Sequence, residues 1–463
     1  MHGQNCPHMF NSIAQISTRN DSDRTTGDPF RFSISNGGMV PDEEGAGAIM
    51  GRCFQDLTRR LVEDFDAGFA ELVKLDYFTT RGYLQTEIGY DFYSIWYLET
   101  VFSASGLYDQ SLSEAVLDWL DFEYPNLAGT QTPWYRVQGG TGQVVRQITR
   151  RLSRQPSRSK RVAKMVYQPG ANPSYPVSVQ VEGEEEGRMR EYTAVFNTSS
   201  LPCLRRMEMQ GEILSAGQKA AIQSVHYDGA TKMAVRFKFA WWSRYCQIQG
   251  GQALTDLPIR TCVYPSDPDS RVLLCSYTWA QDAQAMGSLL SSSPSSSSSS
   301  PDQLRRLVVH NLAVLHQGYL DPLTNGTPYG YERMQAIIDN AYDSHHAYDW
   351  ARDPHTAGAF AYFGPGQFRH LYPELVKPAA DGHVYLIGEA CSAHHAWIAG
   401  SLDSAYRGLC QLLTKLARQG RLPPDTLHRL QRSWGELEEV APDVLQWEAF
   451  LGELALQSRS PGQ

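Results

Sequence analysis

The 463-residue chain contains no run of about 18 apolar residues, so nothing in it reads as a membrane-spanning helix. It has no basic excess either. Lys and Arg number 41 against 50 Asp and Glu, for a net charge of -9, and this balance lacks the footprint of a general nucleic-acid binder. The eight cysteines (Cys6, Cys53, Cys203, Cys246, Cys262, Cys275, Cys391, Cys410) contain no CxxC pair, which excludes the usual zinc and thioredoxin patterns. Such scattered cysteines read as reduced and mostly buried. The first thirty residues have neither a basic nor an apolar signal region, and SRSPGQ at the other end carries no readable address. Without secretion the sequons at Asn20, Asn197 and Asn325 mean little, and the expected compartment is the cytoplasm.

What is present is a chain 42% hydrophobic, with 24 Tyr and 10 Trp, enough to bury a large aromatic core or to line an apolar pocket. At about 150 residues per domain it holds two large domains or three smaller ones. Residues 1–47 are polar and rich in turn formers, and read as a flexible region. Apolar residues then recur at helical spacing from Met50 to Leu75, and again near Phe92–Phe102 and Leu112–Asp121. A further helix is expected over Thr141–Leu152. Short alternating runs predict strands at Val162–Tyr167, Val177–Val181, Thr193–Phe196, Lys232–Phe239, Arg260–Tyr264 and Val272–Tyr277, with one more at Val384–Ile387. Helices are expected at Gln303–Gln317, Leu402–Arg418, Thr426–Trp434 and Val440–Leu456. The serine run within 288–301 reads as a linker. The order predicts an α+β fold with mixed sheets.

Four segments carry chemistry. The first is VYLIGEACSAHHAWIAGSLDSAYRGL, Val384–Leu409: a buried strand ends at Gly388-Glu389, and Trp397-Ile398 opens a helix. A strand feeding a helix N-terminus presents backbone N–H groups to an anion or an electron-rich ring edge, though spacing alone also fits an ordinary strand-loop-helix. The second is VHYDGATKMAVRFKFAWW, Val225–Trp242, which puts Lys232 early in a strand, where a lysine is most often a solvated charge. The third, Thr255–Ala283, reads as a hairpin, with Tyr277 and Trp279 on one face of its second strand. The fourth, YRVQGGTGQVVRQI, places Gly139-Gly140 before a helix, where glycine permits close backbone approach.

Together these segments resemble the flavin-containing amine oxidases, most closely the L-amino-acid oxidases. The resemblance runs from about Tyr77 to Ala417 and is supported by the loops within Asp349–Phe368. It implies an amine-oxidase-like substrate domain with a mixed sheet and helices, plus the C-terminal part of an FAD-binding domain. The implied organisation is a flexible 1–47, a helical 48–130, FAD-binding elements at 131–200 and 380–420, a substrate domain at 201–379 and C-terminal helices at 421–463. The cofactor implied is FAD, met by Gly139, Gly140, Val162, Gly388, Glu389, Trp397, Ile398 and Ser401. Lys232 would hold a water at the flavin, Tyr277 the substrate carboxylate, and Trp279 and Trp397 the pocket wall, while the Ala396 carbonyl would face the amine. The catalytic set implied is therefore Lys232, Tyr277 and Trp397. No metal is implied. His394 and His395 receive no catalytic role.

The resemblance has gaps. The fingerprint G-x-G-x-x-G, with an acid about 20–30 positions on, is lacking. GAGAIMG at Gly45–Gly51 has the wrong spacing and follows VPDEE, a poor buried strand, so it reads as a flexible entry to the first helix. The family's arginine motif for the carboxylate is also lacking. The chain thus resembles an oxidase that begins after its dinucleotide-binding half, with no N-terminal Rossmann unit. The activity implied is oxidative deamination of an L-amino acid, with dioxygen as co-substrate and a homodimer as the usual assembly. The alternatives are another monoamine oxidase, an amino-acid monooxygenase or a non-catalytic remnant.

Overall fold

The computed structural model describes residues 5–16, 28–35, 45–127, 135, 137–185, 188–290, 300–324, 326–423 and 425–435. Most of the serine run and the expected Val440–Leu456 helix lie outside the described residues. The chain divides into two compact units. One comprises Met1–Leu57, Lys74–Val116 and His226–Gly366, the other Thr58–Val73, Leu117–Val225 and Gln367–Gln463.

The first unit is built on a five-stranded antiparallel sheet. Its spatial order is Gln252–Leu254, Thr261–Val263, Val272–Trp279, Ala230–Phe237 and Tyr342–Asp349. Alternation divides the central Ala230–Phe237 strand: Met233, Val235 and Phe237 are buried in the core, and Lys232, Ala234 and Arg236 point the other way. Helices Ser300–His316 and Tyr331–Ala341 supply Val308, Leu312, Met334 and Ile338 to the same core, beside the fully buried Trp241 and Trp242. Within it the Tyr264 hydroxyl donates to His316 Nε2 at 2.6 Å. His316 Nδ1 lies 2.7 Å from the Leu312 carbonyl, which can only accept, so the proton sits on Nδ1.

Two stretches expected to be flexible are ordered. Pro7–Phe10 and Ile13–Ile16 form a hairpin, closed by Asn11 and Ser12, both at positive φ as a two-residue type I′ turn requires. Met9 joins the sheet core, and the Asp256 N–H donates to its carbonyl. Strands of four residues among polar neighbours are too short to register as alternation. GAGAIMG is not a flexible entry either: helix Ala46–Glu63 begins inside it, and burial of Ile49 and Met50 offsets the cost of its glycines.

The second unit has a four-stranded sheet in the order Arg190–Tyr192, Val177–Val181, Val162–Tyr167 and Glu208–Gln210. Beside it Val384–Leu386 pairs in parallel with Val195–Asn197. Val384, Tyr385 and Leu386 are all buried, as expected of a parallel strand covered on both faces. Helix Ile398–Arg418 packs closely over this pair: a Cβ on Gly408 would meet Ile387 Cγ2 at 2.9 Å.

Candidate active site

In the first unit the residues expected from the sequence converge. Lys232 is paired in register with Tyr277 on one neighbouring strand and with Tyr348 on the other. Its Nζ lies 4.0 Å from the Tyr277 ring centroid and 5.5 Å from that of Trp350. The rings continue outward. Trp279 is 4.4 Å from Tyr277, centroid to centroid, and Trp350 is 5.0 Å from Tyr348, whose hydroxyl donates to Asp353. Burial pulls the Lys232 ammonium below its usual pKa, and among the described residues no carboxylate forms an ion pair with it. The result is a cation held against aromatic rings.

Local ties fix this geometry. The Thr231 hydroxyl donates to the Ala283 carbonyl, so the strand carrying Lys232 is bound to helix Ala280–Gly287. Asp228 is buried just before this strand, and the Ala280 N–H donates to the neighbouring Gly229 carbonyl at 3.2 Å. Burial raises the Asp228 pKa above the usual carboxylate value.

In the second unit, Gly388, Glu389, Ala396, Trp397, Ile398 and Ser401 lie together where the Val384–Leu386 strand passes into helix Ile398–Arg418. Gly388 has φ +113, a conformation L-residues rarely adopt, and its N–H donates to Ser404 Oγ at 2.8 Å. Glu389 reaches back over the loop and accepts from the Ala396 N–H at 3.2 Å. Gly400 carries no side chain because none fits: a Cβ there would lie 2.2 Å from the His394 carbonyl oxygen. The buried Arg407 guanidinium donates to the carbonyls of Cys391 (2.5 Å) and Leu386 (2.9 Å), tying the loop to the strand end.

Trp397 is the N-cap of this 21-residue helix and makes no side-chain capping bond, so among the described residues the first-turn N–H groups have no capping side chain. Trp397 packs edge-on against Phe122 at 5.3 Å, and Ile398 is 55% exposed beside it. His394 Nδ1 lies 2.7 Å from Asp121 Oδ1. Near this pair the buried Asp403 has its pKa pushed up to about 6, chiefly by burial.

The remaining expected residues lie elsewhere in the second unit. Gly139 and Gly140, both at positive φ, form the turn before helix Gly142–Arg151, and Val162 opens its own strand opposite Val181. Sequence reasoning missed Trp350 and Tyr348, because YDSHHAYD shows no apolar alternation. It also missed the His394–Asp121 pair, 273 residues apart in the chain. None of the eight cysteines is in a disulfide among the described residues, and all but Cys203 are buried.

The profile of the flavin-containing amine oxidoreductases matches residues 55–413. The chain belongs to this family. A Dictyostelium discoideum protein named, provisionally, a bifunctional amine oxidase is 34% identical over 430 residues, covering 89% of this chain and 37% of its own length. L-amino-acid oxidase 4 of the fungus Hebeloma cylindrosporum is 32% identical over 396 residues, covering 80% and 59% respectively. The chain therefore spans less than two thirds of either relative. A solved putrescine oxidase shares the fold with a TM-score of 0.60 at 13% identity, over 89% of this chain and 82% of that one. Among the described residues no helix is long and apolar enough to cross a membrane.

The family's cofactor is FAD, and the residues present fit its ring end. The uncapped helix N-terminus at Trp397, with exposed Ile398 beside it, suits an electron-rich heterocycle edge.

Proposed function

We propose that this chain carries out FAD-dependent oxidative deamination of an L-amino acid, giving a 2-oxo acid, ammonia and hydrogen peroxide. The observation that carries the reading is Lys232, a cation with its pKa lowered by burial and seated against Tyr277 and Trp350, with no carboxylate in an ion pair with it among the described residues. The name of the fungal relative supports the amino-acid substrate.

Bound FAD would supply the two-electron chemistry, taking electrons from the substrate and passing them to dioxygen. The protein's part is to bind, orient and move protons. Gly139, Gly140, Val162, Gly388, Glu389, Ile398 and Ser401 are the proposed cofactor contacts. Tyr277 would donate its hydroxyl to the substrate carboxylate, with Trp279 as a pocket wall. The Ala396 carbonyl would accept from the substrate amine, and Trp397 would exclude water beside it. Lys232 would hold a water by hydrogen bonding, stabilise negative charge as dioxygen is reduced, and direct that water at the carbon of the imine product.

The test is product analysis on FAD-loaded protein supplied with a panel of L-amino acids. A 2-oxo acid, ammonia and peroxide in equal amounts support the proposal. A decarboxylated amide would indicate a monooxygenase, an aldehyde from a simple amine would indicate an amine oxidase, and no turnover by any of them would overturn the enzymatic reading.

A further inference from the structure

Between Glu123 and Glu182 the chain has no acidic residue, whereas residues 136–164 carry nine Arg and Lys. Three of the nine are committed. Lys160, Arg161 and Lys164 pair with Glu184, Glu182 and Glu208, each at 3.0 Å. Arg146, Arg150, Arg151, Arg154 and Arg158 are exposed and form no ion pair among the described residues. They lie along helix Gly142–Arg151 and the irregular segment after it. The helix has no buried residue and ends at Leu152, whose backbone is extended (φ -71, ψ 133). Gln155 Nε2 donates to the Thr149 carbonyl at 3.0 Å and closes the helix end. Pro156 prevents the helix from resuming. Residues 151–161 are all exposed, and Ser153 makes no side-chain hydrogen bond among the described residues.

We infer that Ser153 is a phosphorylation site for an arginine-directed serine kinase. The order Arg150-Arg151-Leu152-Ser153 sets two unpaired guanidiniums three and two positions before the hydroxyl, where acidic subsites of a kinase can take them as bidentate ion pairs. Leu152 onward is exposed, and Arg150 and Arg151 form the last turn of a helix with no buried residue, so unwinding that turn lets the segment enter a cleft without disturbing a packed side chain. The neighbouring serines lack this arrangement, since Ser157 has one arginine three positions before it and Ser159 one immediately before it. In the transfer, Ser153 Oγ bonds to the γ-phosphorus of a magnesium-bound nucleoside triphosphate. The bond from that phosphorus to the bridging oxygen breaks, the diphosphate leaves with the electron pair, and the hydroxyl proton passes to a carboxylate of the kinase. The product carries about -1.5 to -2 charges among Arg150, Arg151 and Arg154, and so cancels much of the local positive field.

The experiment incubates the full chain with magnesium ATP and the catalytic subunit of the cyclic-AMP-dependent kinase, with sites mapped by mass spectrometry. One phosphate on Ser153 is expected, absent in Ser153→Ala. Replacing both Arg150 and Arg151 by Gln should lower kcat/KM for the kinase about 100-fold, roughly tenfold for each charge-assisted pair. Circular dichroism of both variants should match the parent, because the altered side chains are exposed. Phosphate confined to Ser157 or Ser159, no incorporation while a control peptide is fully modified, or an unchanged rate in the arginine variant would each overturn the assignment.

Discussion

The Lys232 ammonium stands 4.0 Å from the centre of the Tyr277 ring, and the two residues are direct partners across an antiparallel strand pair. Opposed side chains in such a pair share one face of the sheet, so the contact follows from register rather than from a flexible side chain finding a surface. The Lys232–Tyr348 pairing on the other side adds a second phenol, and Trp350 follows two residues along. Cation–aromatic contacts of this kind contribute about 0.5–2 kcal/mol depending on desolvation. The site therefore keeps a positive charge partly withdrawn from water, at a cost in stability that these contacts offset only in part.

The first prediction follows from that cost. Lys232→Met keeps the length of the side chain and removes the charge. In FAD-loaded protein it should slow reoxidation by oxygen by about 100-fold or more, within the range of a positioned proton donor, and leave reduction by substrate much less affected. Stopped-flow absorbance of the two half-reactions measures both. Equal slowing of the two would remove Lys232 from the role proposed for it.

The second separates the hydroxyl of Tyr277 from its ring. If the hydroxyl binds the substrate carboxylate, Tyr277→Phe should raise KM about tenfold or more, as loss of a charge-assisted hydrogen bond implies, and change kcat little. Tyr277→Leu also removes the ring over Lys232 and admits water. Burial is what lowers the lysine pKa, so the pKa should move back up, shifting the alkaline limb of the kcat profile to higher pH. A limb that stays in place would show that another group titrates there.

How far the sequence led depended on whether a pattern was local. The Val177–Val181 strand alternates buried and half-buried residues, and it and the strands at Val162–Tyr167 and Val272–Trp279 formed close to where the sequence put them. Period two also placed Tyr277 and Trp279 together. The Tyr342–Asp349 strand was illegible because it lies at the sheet edge with mostly half-exposed or exposed side chains, so nothing selects apolar residues along it. Tyr348 and Trp350 were missed with it. The loop before Trp397 was read for its glycines and its Trp-Ile pair, but what braces it is distant. Asp121 comes from another helix, and the Arg407 contacts to backbone carbonyls leave no signature in spacing.

Acid should weaken the first unit through His316. The ring is fully buried, and burial pulls its pKa from 6.5 down to about 4. Between those values the unfolded chain binds a proton that the folded chain refuses, so stability rises with pH across this window. The contribution is complete above about pH 6.5, falls as pH drops toward 4 and is flat below. A shift of this size corresponds to about 3 kcal/mol. His316→Gln removes the titration, so denaturant unfolding of parent and variant at a series of pH values should show the parent losing more stability between pH 6.5 and 4. Parallel curves would mean that His316 does not titrate in this way.

The tightest constraint on the Trp397 turn is Gly400. A Cβ at this position would stand 2.2 Å from the His394 carbonyl oxygen and 2.3 Å from Ser392 Oγ. Neither neighbour can yield easily. The Ser392 hydroxyl lies 2.9 Å from the Glu389 carbonyl and accepts from the His394 N–H at 3.1 Å, while the His394 ring is held by Asp121. In Gly400→Ala the loop must move as a piece and carry Trp397 with it, because Trp397 is the cap of the same helix. Overpacking of this kind costs about 1–3 kcal/mol, against a gain of at most about 1 kcal/mol in helix propensity. The net expectation is a lower melting temperature together with faster proteolytic cleavage between Glu389 and Trp397. Gly408→Ala is the control on the same helix: its Cβ would meet the side-chain methyl of Ile387 at 2.9 Å rather than backbone, so it should lower the melting temperature less and leave the loop resistant to protease. If Gly400→Ala melts at or above the parent temperature with an unchanged cleavage pattern, the loop is looser than its contacts imply, and it could not hold Trp397 in one place.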